Sequence, residues 1–211
     1  MSILYFDLDG TLVDVRKRHY AAYADTMREL GLTPLPEQTY WDARRDGASN
    51  ADLMGNADAE CHSRFAEKWL ARVESPSYVR LDTLIPGARA TLAALRESYE
   101  LVLVTMRQDR ESLLEQLDEL SLRKFFSAVY SRDGSDQPQS KSKLIRLFDD
   151  NVPGDAAVIG DSEADVEAAR ELGIESVCVT SGVRSRRYLD ELEPDEVVST
   201  IVQLPQILPA S

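Results

Sequence analysis

The chain has 211 residues, the size of one large domain or a domain with a small insert. Lys and Arg total 24 against 37 Asp and Glu, and the net charge of −13 repels nucleic acid and anionic membranes, so neither is expected as a partner. No apolar run approaches the roughly 18 residues that a bilayer span needs, and residues 1–7 carry no readable signal peptide. Cys61 and Cys178 are too far apart in the chain to suggest a disulfide framework, which suits a reducing cytoplasm.

In chain order, the apolar run at residues 3–6 predicts a strand buried on both faces and closed by Asp7. Residues 14–83 then show helical periodicity without a strand. Val15, His19, Ala22, Tyr23, Met27 and Leu30 form one stripe, closed by Gly31, and Cys61, Phe65, Trp69 and Val73 form another. Pro86-Gly87 marks the return of alternating elements: a helix at 88–98, a strand at 101–104 closed by Thr105, a helix at 109–120, a weaker strand at 128–131 and a helix at 142–148. A strand at 156–159 leads to Asp161, and the helix behind it is capped by Ser162, with Asp165 in the third position of a capping box and Gly173 at its end. A strand at 176–179 closed by Thr180 and an edge strand at 197–198 complete the pattern. Such alternation predicts a Rossmann-like α/β core with a parallel sheet, formed by residues 1–13 and 84–211, whose ligands lie beyond the carboxyl ends of the strands. Residues 14–83 are expected to be an inserted, small all-helical cap.

The segment Asp7-Leu8-Asp9-Gly10-Thr11 places two carboxylates two residues apart at the end of a buried strand, where both can project to one side. Such a pair needs a cation or a shared proton to relieve its repulsion. One member can then act as nucleophile while the other, with a raised pKa, acts as acid and then base. Taken alone, the segment reads equally well as a strand end running into an Asx turn.

Three further stretches break the tie. A Thr closes Leu-Val-Leu-Val-Thr105, Lys141 opens a helix, and Gly160-Asp161 is followed four residues on by Asp165. With Asp7, Asp9, Gly10 and Thr11, these occur in the order and at the elements of the four motifs of the haloacid dehalogenase-like hydrolases, which the whole chain resembles. The resemblance implies that Asp7 attacks phosphorus to give an aspartyl-phosphate, and that Asp9 protonates the leaving alcohol and later activates water. It implies further that Asp7, the Asp9 carbonyl and Asp161 hold Mg²⁺, and that Thr105 and Lys141 bind the phosphoryl oxygens. Asp165 is expected at the metal, or as the capping acid of its helix, and Lys143 competes with Lys141 on register. Gly10, Thr11, Met106 and Arg107 are the expected substrate contacts. The resemblance also implies that dehalogenases lack the second Asp, so Asp9 favours phosphate-ester chemistry.

The expected function is Mg²⁺-dependent hydrolysis of a small phosphorylated metabolite, similar to that of phosphoglycolate phosphatases. A phosphomutase and a non-catalytic binding module are the alternatives. Cys178 with Arg184 matches the spacing of cysteine-dependent phosphatases, but the thiol falls inside an apolar strand and Val179 and Thr180 prefer extended backbone, which favours a buried, inert cysteine. His19 and His62 are too few for a three-histidine zinc site. The basic runs Arg16-Lys17-Arg18 and Arg44-Arg45 read as solvated helical faces or as contacts to the remote part of an anionic substrate.

Overall fold

The structure is a computed structural model that describes residues 2–55, 57–132 and 138–208. The first strand, β1 (Ile3–Phe6), is followed by a short strand, β2 (Val13–Asp14), and by helices α1 (Arg16–Glu29), α2 (Glu37–Arg45), α3 (Ala59–Val73) and α4 (Pro76–Val79). The chain returns through β3 (Thr83–Leu84), which pairs antiparallel with β2. There follow α5 (Ala88–Leu95), β4 (Glu100–Thr105), α6 (Arg110–Glu119), β5 (Ala128–Ser131), α7 (Lys141–Phe148) and β6 (Ala157–Gly160). The remaining elements are α8 (Glu163–Leu172), β7 (Glu175–Val179), α9 (Arg186–Asp190), β8 (Glu196–Val198) and α10 (Leu204–Ile207).

Six strands form a parallel sheet in the order β5-β4-β1-β6-β7-β8. The two-residue side-chain period of a strand sends alternate residues into separate cores. Leu4, Phe6, Leu101, Leu103 and Ile159 join Leu92, Leu95, Leu113 and Leu117 of α5 and α6 on one face. Tyr5, Val102, Val104 and Val158 join Leu144 and Ile145 of α7 on the other. Burial on both faces explains why these strands read as continuous apolar runs. β1 lies at the centre, and the chain crosses from it first to β4 and β5 and then to β6, β7 and β8. The carboxyl ends of β1, β4 and β6 therefore lie side by side at the topological switch point, where doubly wound sheets bind ligands.

Helices α1 to α4 continue the first core. Tyr23 stacks on Tyr40 with ring centroids 4.4 Å apart and packs against Phe65 at 6.0 Å. The segment meets the rest of the chain on both sides of the switch point. On one side Arg45 donates to the carbonyls of Gly182 (2.6 Å) and Thr180 (2.8 Å); on the other, Glu74 accepts the Gln108 N–H at 2.8 Å.

Candidate active site

β1 hands over to Asp7, whose N–H still donates to the Ile159 carbonyl at 2.9 Å, so the carboxylate is placed by the sheet itself. Thr105 is the last residue of the neighbouring β4, and Asp161 follows β6 on the other side. Lys141 opens α7, which Ser140 caps, and its buried ammonium lies 2.7 Å from Asp7 Oδ1 and 2.5 Å from Asp165 Oδ1. Lys143 is exposed on the outer face of α7, whereas Lys141 is buried and reaches Asp7. Asp161 is held from three sides: Val183 N–H donates to its Oδ2 at 2.5 Å, the Thr11 hydroxyl lies 3.3 Å from Oδ1, and Gly10 and Gly182 press against it. A Cβ on Gly10 or Gly182 would come within 2.1 or 2.0 Å of Asp161 Oδ2, and Gly10 also has φ +83°.

One oxygen from each of Asp7, Asp161 and Asp165 lies within 4.8 Å of the others, and all three residues are buried. Burial pushes the Asp7 carboxyl up to about 7 against the pull of Lys141, and it pushes Asp161 well above the usual carboxylate range, with Asp7 and Asp165 adding repulsion. Burial works against the Lys141 ammonium too, but Asp165 and Asp7 outweigh it and hold the pKa above the usual lysine value. Three buried carboxylates against one ammonium form an all-oxygen set suited to a hard divalent cation. Asp165 is the least free of the three. Lys141 occupies Oδ1, while Oδ2 accepts from Asp161 N (3.2 Å), Ser162 N (3.1 Å) and Ser162 Oγ (2.8 Å), so the geometry supports the capping reading over direct ligation.

The second carboxylate lies in a different field. Asp9 Oδ1 is 2.8 Å from Arg18 Nη2, Oδ2 accepts Arg107 Nε at 3.0 Å, and Arg107 Nη2 also donates to Oδ1. Behind both arginines lies Asp82, its side chain wholly buried, with Oδ1 3.0 Å from Arg18 Nε and Oδ2 3.2 Å from Arg107 Nη2. Gln116 completes the cluster by accepting from Arg107 at 2.7 Å and donating to Asp82 at 3.0 Å. Burial alone would raise the Asp9 pKa, but the Arg107 and Arg18 guanidiniums reverse it and hold Asp9 below the usual carboxylate range. Of the pair, Asp7 thus carries the raised pKa and Asp9 the lowered one.

Most of the other predicted contacts have partners within the fold. Thr11 is fully buried with its hydroxyl 3.3 Å from Asp161, and Gly10 is packed under the same carboxylate. Arg107 is buried and tied to Asp9, Asp82 and Gln116; it lines the cavity with its charge already matched. Met106 does line the cavity. Arg18 is 1% exposed, far from a solvated face, and Arg44 and Arg45 are engaged by the carbonyls of Ala48, Gly182 and Thr180. Cys178 is buried in β7, where desolvation drives its thiol pKa up, and Arg184 pairs with Glu163 at 2.6 Å, so these two residues do not form a thiolate phosphatase site. His19 packs edge-on against Trp69 at 5.9 Å, and burial together with the Arg18 guanidinium lowers its pKa to about 3, which leaves the ring neutral.

Sequence reasoning missed Asp82, and it read Arg18 as a solvated cation or a remote substrate contact, not as a member of a buried ion-pair cluster. Arg18 had a signal: with Val15 and Ala22 it falls at three- and four-residue spacing on the buried stripe of α1. Asp82 had none, because a single Asp before a short strand resembles any loop acid.

These features occur together in a known class of enzyme. The model of the haloacid dehalogenase-like hydrolase family matches residues 4–179, and the chain belongs to that family. A phosphoglycolate phosphatase of Nitrosospira multiformis is 29% identical over 97% of this chain and 94% of its own length. One from Pseudomonas putida is 29% identical over 94% of this chain and 76% of its own. A haloacid dehalogenase-like hydrolase from Streptococcus pneumoniae superposes with a TM-score of 0.83 at 23% identity, covering 99% of each chain, and so shares the fold. The relatives and the retained pair Asp7 and Asp9 make this chain a phosphatase within the family.

Proposed function

We propose that the protein hydrolyses a small phosphomonoester through a phosphoryl-enzyme on Asp7, with Mg²⁺ as cofactor. The observation that supports this most directly is the set Asp7, Thr105, Lys141 and Asp161 at three adjacent strand ends, with Lys141 2.7 Å from the nucleophile. An Asp7 carboxylate oxygen attacks phosphorus, the ester P–O bond breaks, and the leaving oxygen takes a proton from Asp9. Water then attacks phosphorus, gives a proton to Asp9, and the P–O bond to Asp7 breaks to release phosphate. The second step suits the observed field, since two guanidiniums favour Asp9 as a carboxylate; the first requires those contacts to loosen as the ester arrives. Thr105 and Lys141 hold the phosphoryl oxygens and offset the charge that develops on them. Mg²⁺ held by Asp7, Asp161 and the Asp9 carbonyl would supply the charge that screens the nucleophile from the phosphate and favours its ionised form.

Residues 14–83 act in this reading as a cap that excludes water and meets the leaving group. The Arg45 and Glu74 contacts on either side of the cavity support it. Phosphoglycolate, named for the relatives, is the first ester to test. The free thiols Cys61 and Cys178 favour a reducing cytoplasm, and among the described residues no helix is long and apolar enough to cross a membrane. Phosphate release from a panel of esters, with Mg²⁺ and with excess chelator, tests the proposal: release is expected only with the metal. Undiminished release in chelator would sink the mechanism.

A further inference from the structure

We propose that the site selects esters whose leaving group is compact, apolar and uncharged, and that it disfavours a leaving-group carboxylate; this rests on the hydrolase reading above. Among the described residues lining the cavity, the cationic side chains other than Lys141 are Arg18 and Arg107. In this structure each is already paired with carboxylates, and both stay paired with Asp82 when their contacts to Asp9 loosen. Arg18 is divided between Asp9, Asp82 and the Val73 carbonyl, and Arg107 between Asp9, Asp82 and Gln116. A carboxylate brought in by the substrate would have to displace one already there. Displacing Asp82, whose side chain is 0% exposed, would leave a buried charge without its partner, which is strongly unfavourable.

The rest of this end is apolar or acidic. Trp69, Leu70 and Val73 face the cavity from α3, and Met106 faces it from the loop after β4. Glu74 lies on the same wall with its carboxylate accepting from the backbone N–H groups of Gln108 and Asp109, and it would repel an incoming anion. Leu70 is 49% exposed, so part of this apolar wall remains open for a ligand to cover. A cavity of about 290 Å³ is at the small end of ligand sites and suits a phosphoryl group with a compact body.

The decisive measurement is kcat/KM in Mg²⁺ for phosphoglycolate, for phosphoglycolamide and for benzyl phosphate. The acid and its amide match in size and in the ester bond, and differ in charge and in the exchange of one acceptor for a donor. The amide and the benzyl ester should exceed the acid by about 10-fold or more, the span that a single well-placed mismatch gives. Leu70→Lys, at an exposed position, should shift the ratio of acid to amide toward the acid by supplying the missing cation. Faster turnover of phosphoglycolate than of its amide, or an unchanged ratio in Leu70→Lys, would overturn the selection while leaving the hydrolase intact. Absence of phosphate release from all three esters would instead remove the hydrolase reading, and this inference with it.

Discussion

The two ends of the cavity are built from the same kinds of residue and reach opposite electrostatic states. At the phosphoryl end, Asp7, Asp161 and Asp165 share the single ammonium of Lys141, and two of the three carboxyls are pushed above their usual range. At the leaving-group end, Asp9 and Asp82 meet Arg18 and Arg107 one for one. The first end has an excess of buried negative charge, which a divalent cation would relieve. The second is complete without any ligand, and its charges serve position. Attack on phosphorus is expected where the charge is unbalanced, and proton transfer to the leaving group, with selection of that group, where it is balanced.

Loss of the nucleophile separates the two ends most sharply. Asp7→Asn should lower turnover by at least about 10⁴-fold, as removal of a nucleophile does, with unfolding by heat little changed. Near-native activity of the purified variant would overturn the proposed mechanism. Next in size, Asp9→Asn should cost about 10²–10⁴-fold as the loss of an acid–base group. Lys141→Ala should cost about 10²–10³-fold and depress every ester alike, because the phosphoryl group is common to all. A loss confined to particular leaving groups would move Lys141 to the other end of the comparison.

The balanced cluster should reveal itself in stability. Arg18→Met leaves Asp9 and Asp82 facing each other short of a cation and should cost about 3–5 kcal/mol in urea unfolding. The double change Arg18→Met and Asp82→Asn should recover part of that loss, since coupled partners are not additive. A double variant as unstable as the sum of its parts would mean that the two residues act separately. The unbalanced cluster makes the converse prediction. Mg²⁺ at roughly 100 times its Kd should stabilise the folded protein by about 2.7 kcal/mol, and Asp161→Ala should lose most of that gain in a thermal-shift measurement.

The smallest effect concerns His19. Its folded pKa of about 3 lies below the usual 6.5, so between those values the unfolded chain binds the extra proton and the folded one does not. Its contribution is therefore complete above pH 6.5 and lost as pH falls toward 3. His19→Gln should flatten this component, and the stability difference between wild type and variant should shrink steadily on acidification. A difference independent of pH would show that the ring is not held neutral.

Much of this was legible in the residues alone, for reasons visible in particular elements. Strands covered on both faces must be apolar throughout, so β1, β4, β6 and β7 read directly from the sequence, and the polar residue ending each could be named. Boundaries moved by a residue or so: Thr105 belongs to β4 and Lys141 to α7, because backbone hydrogen bonding continues past the last apolar side chain. The charged residues were read less well. Arg18, Arg107, Arg44 and Arg45 resemble surface cations in a sequence, and only the fold places carboxylates or carbonyls against them.

The sequence by itself determined the parallel α/β core and the order of its elements, since these follow from local periodicity, while Asp7, Thr105, Lys141 and Asp161 were singled out by the resemblance of their motifs to those of the haloacid dehalogenase-like hydrolases. The tertiary structure decided the contrasting fields around Asp7 and Asp9, the placing of Arg18 and Asp82 beside Asp9, and the packing of Thr11 and Gly10 against Asp161. Those outcomes depend on burial and on partners as far apart in the chain as Asp9 and Arg107, or Thr11 and Asp161. A pKa or an ion pair is a property of the space around a group, and that space exists only once the chain has folded.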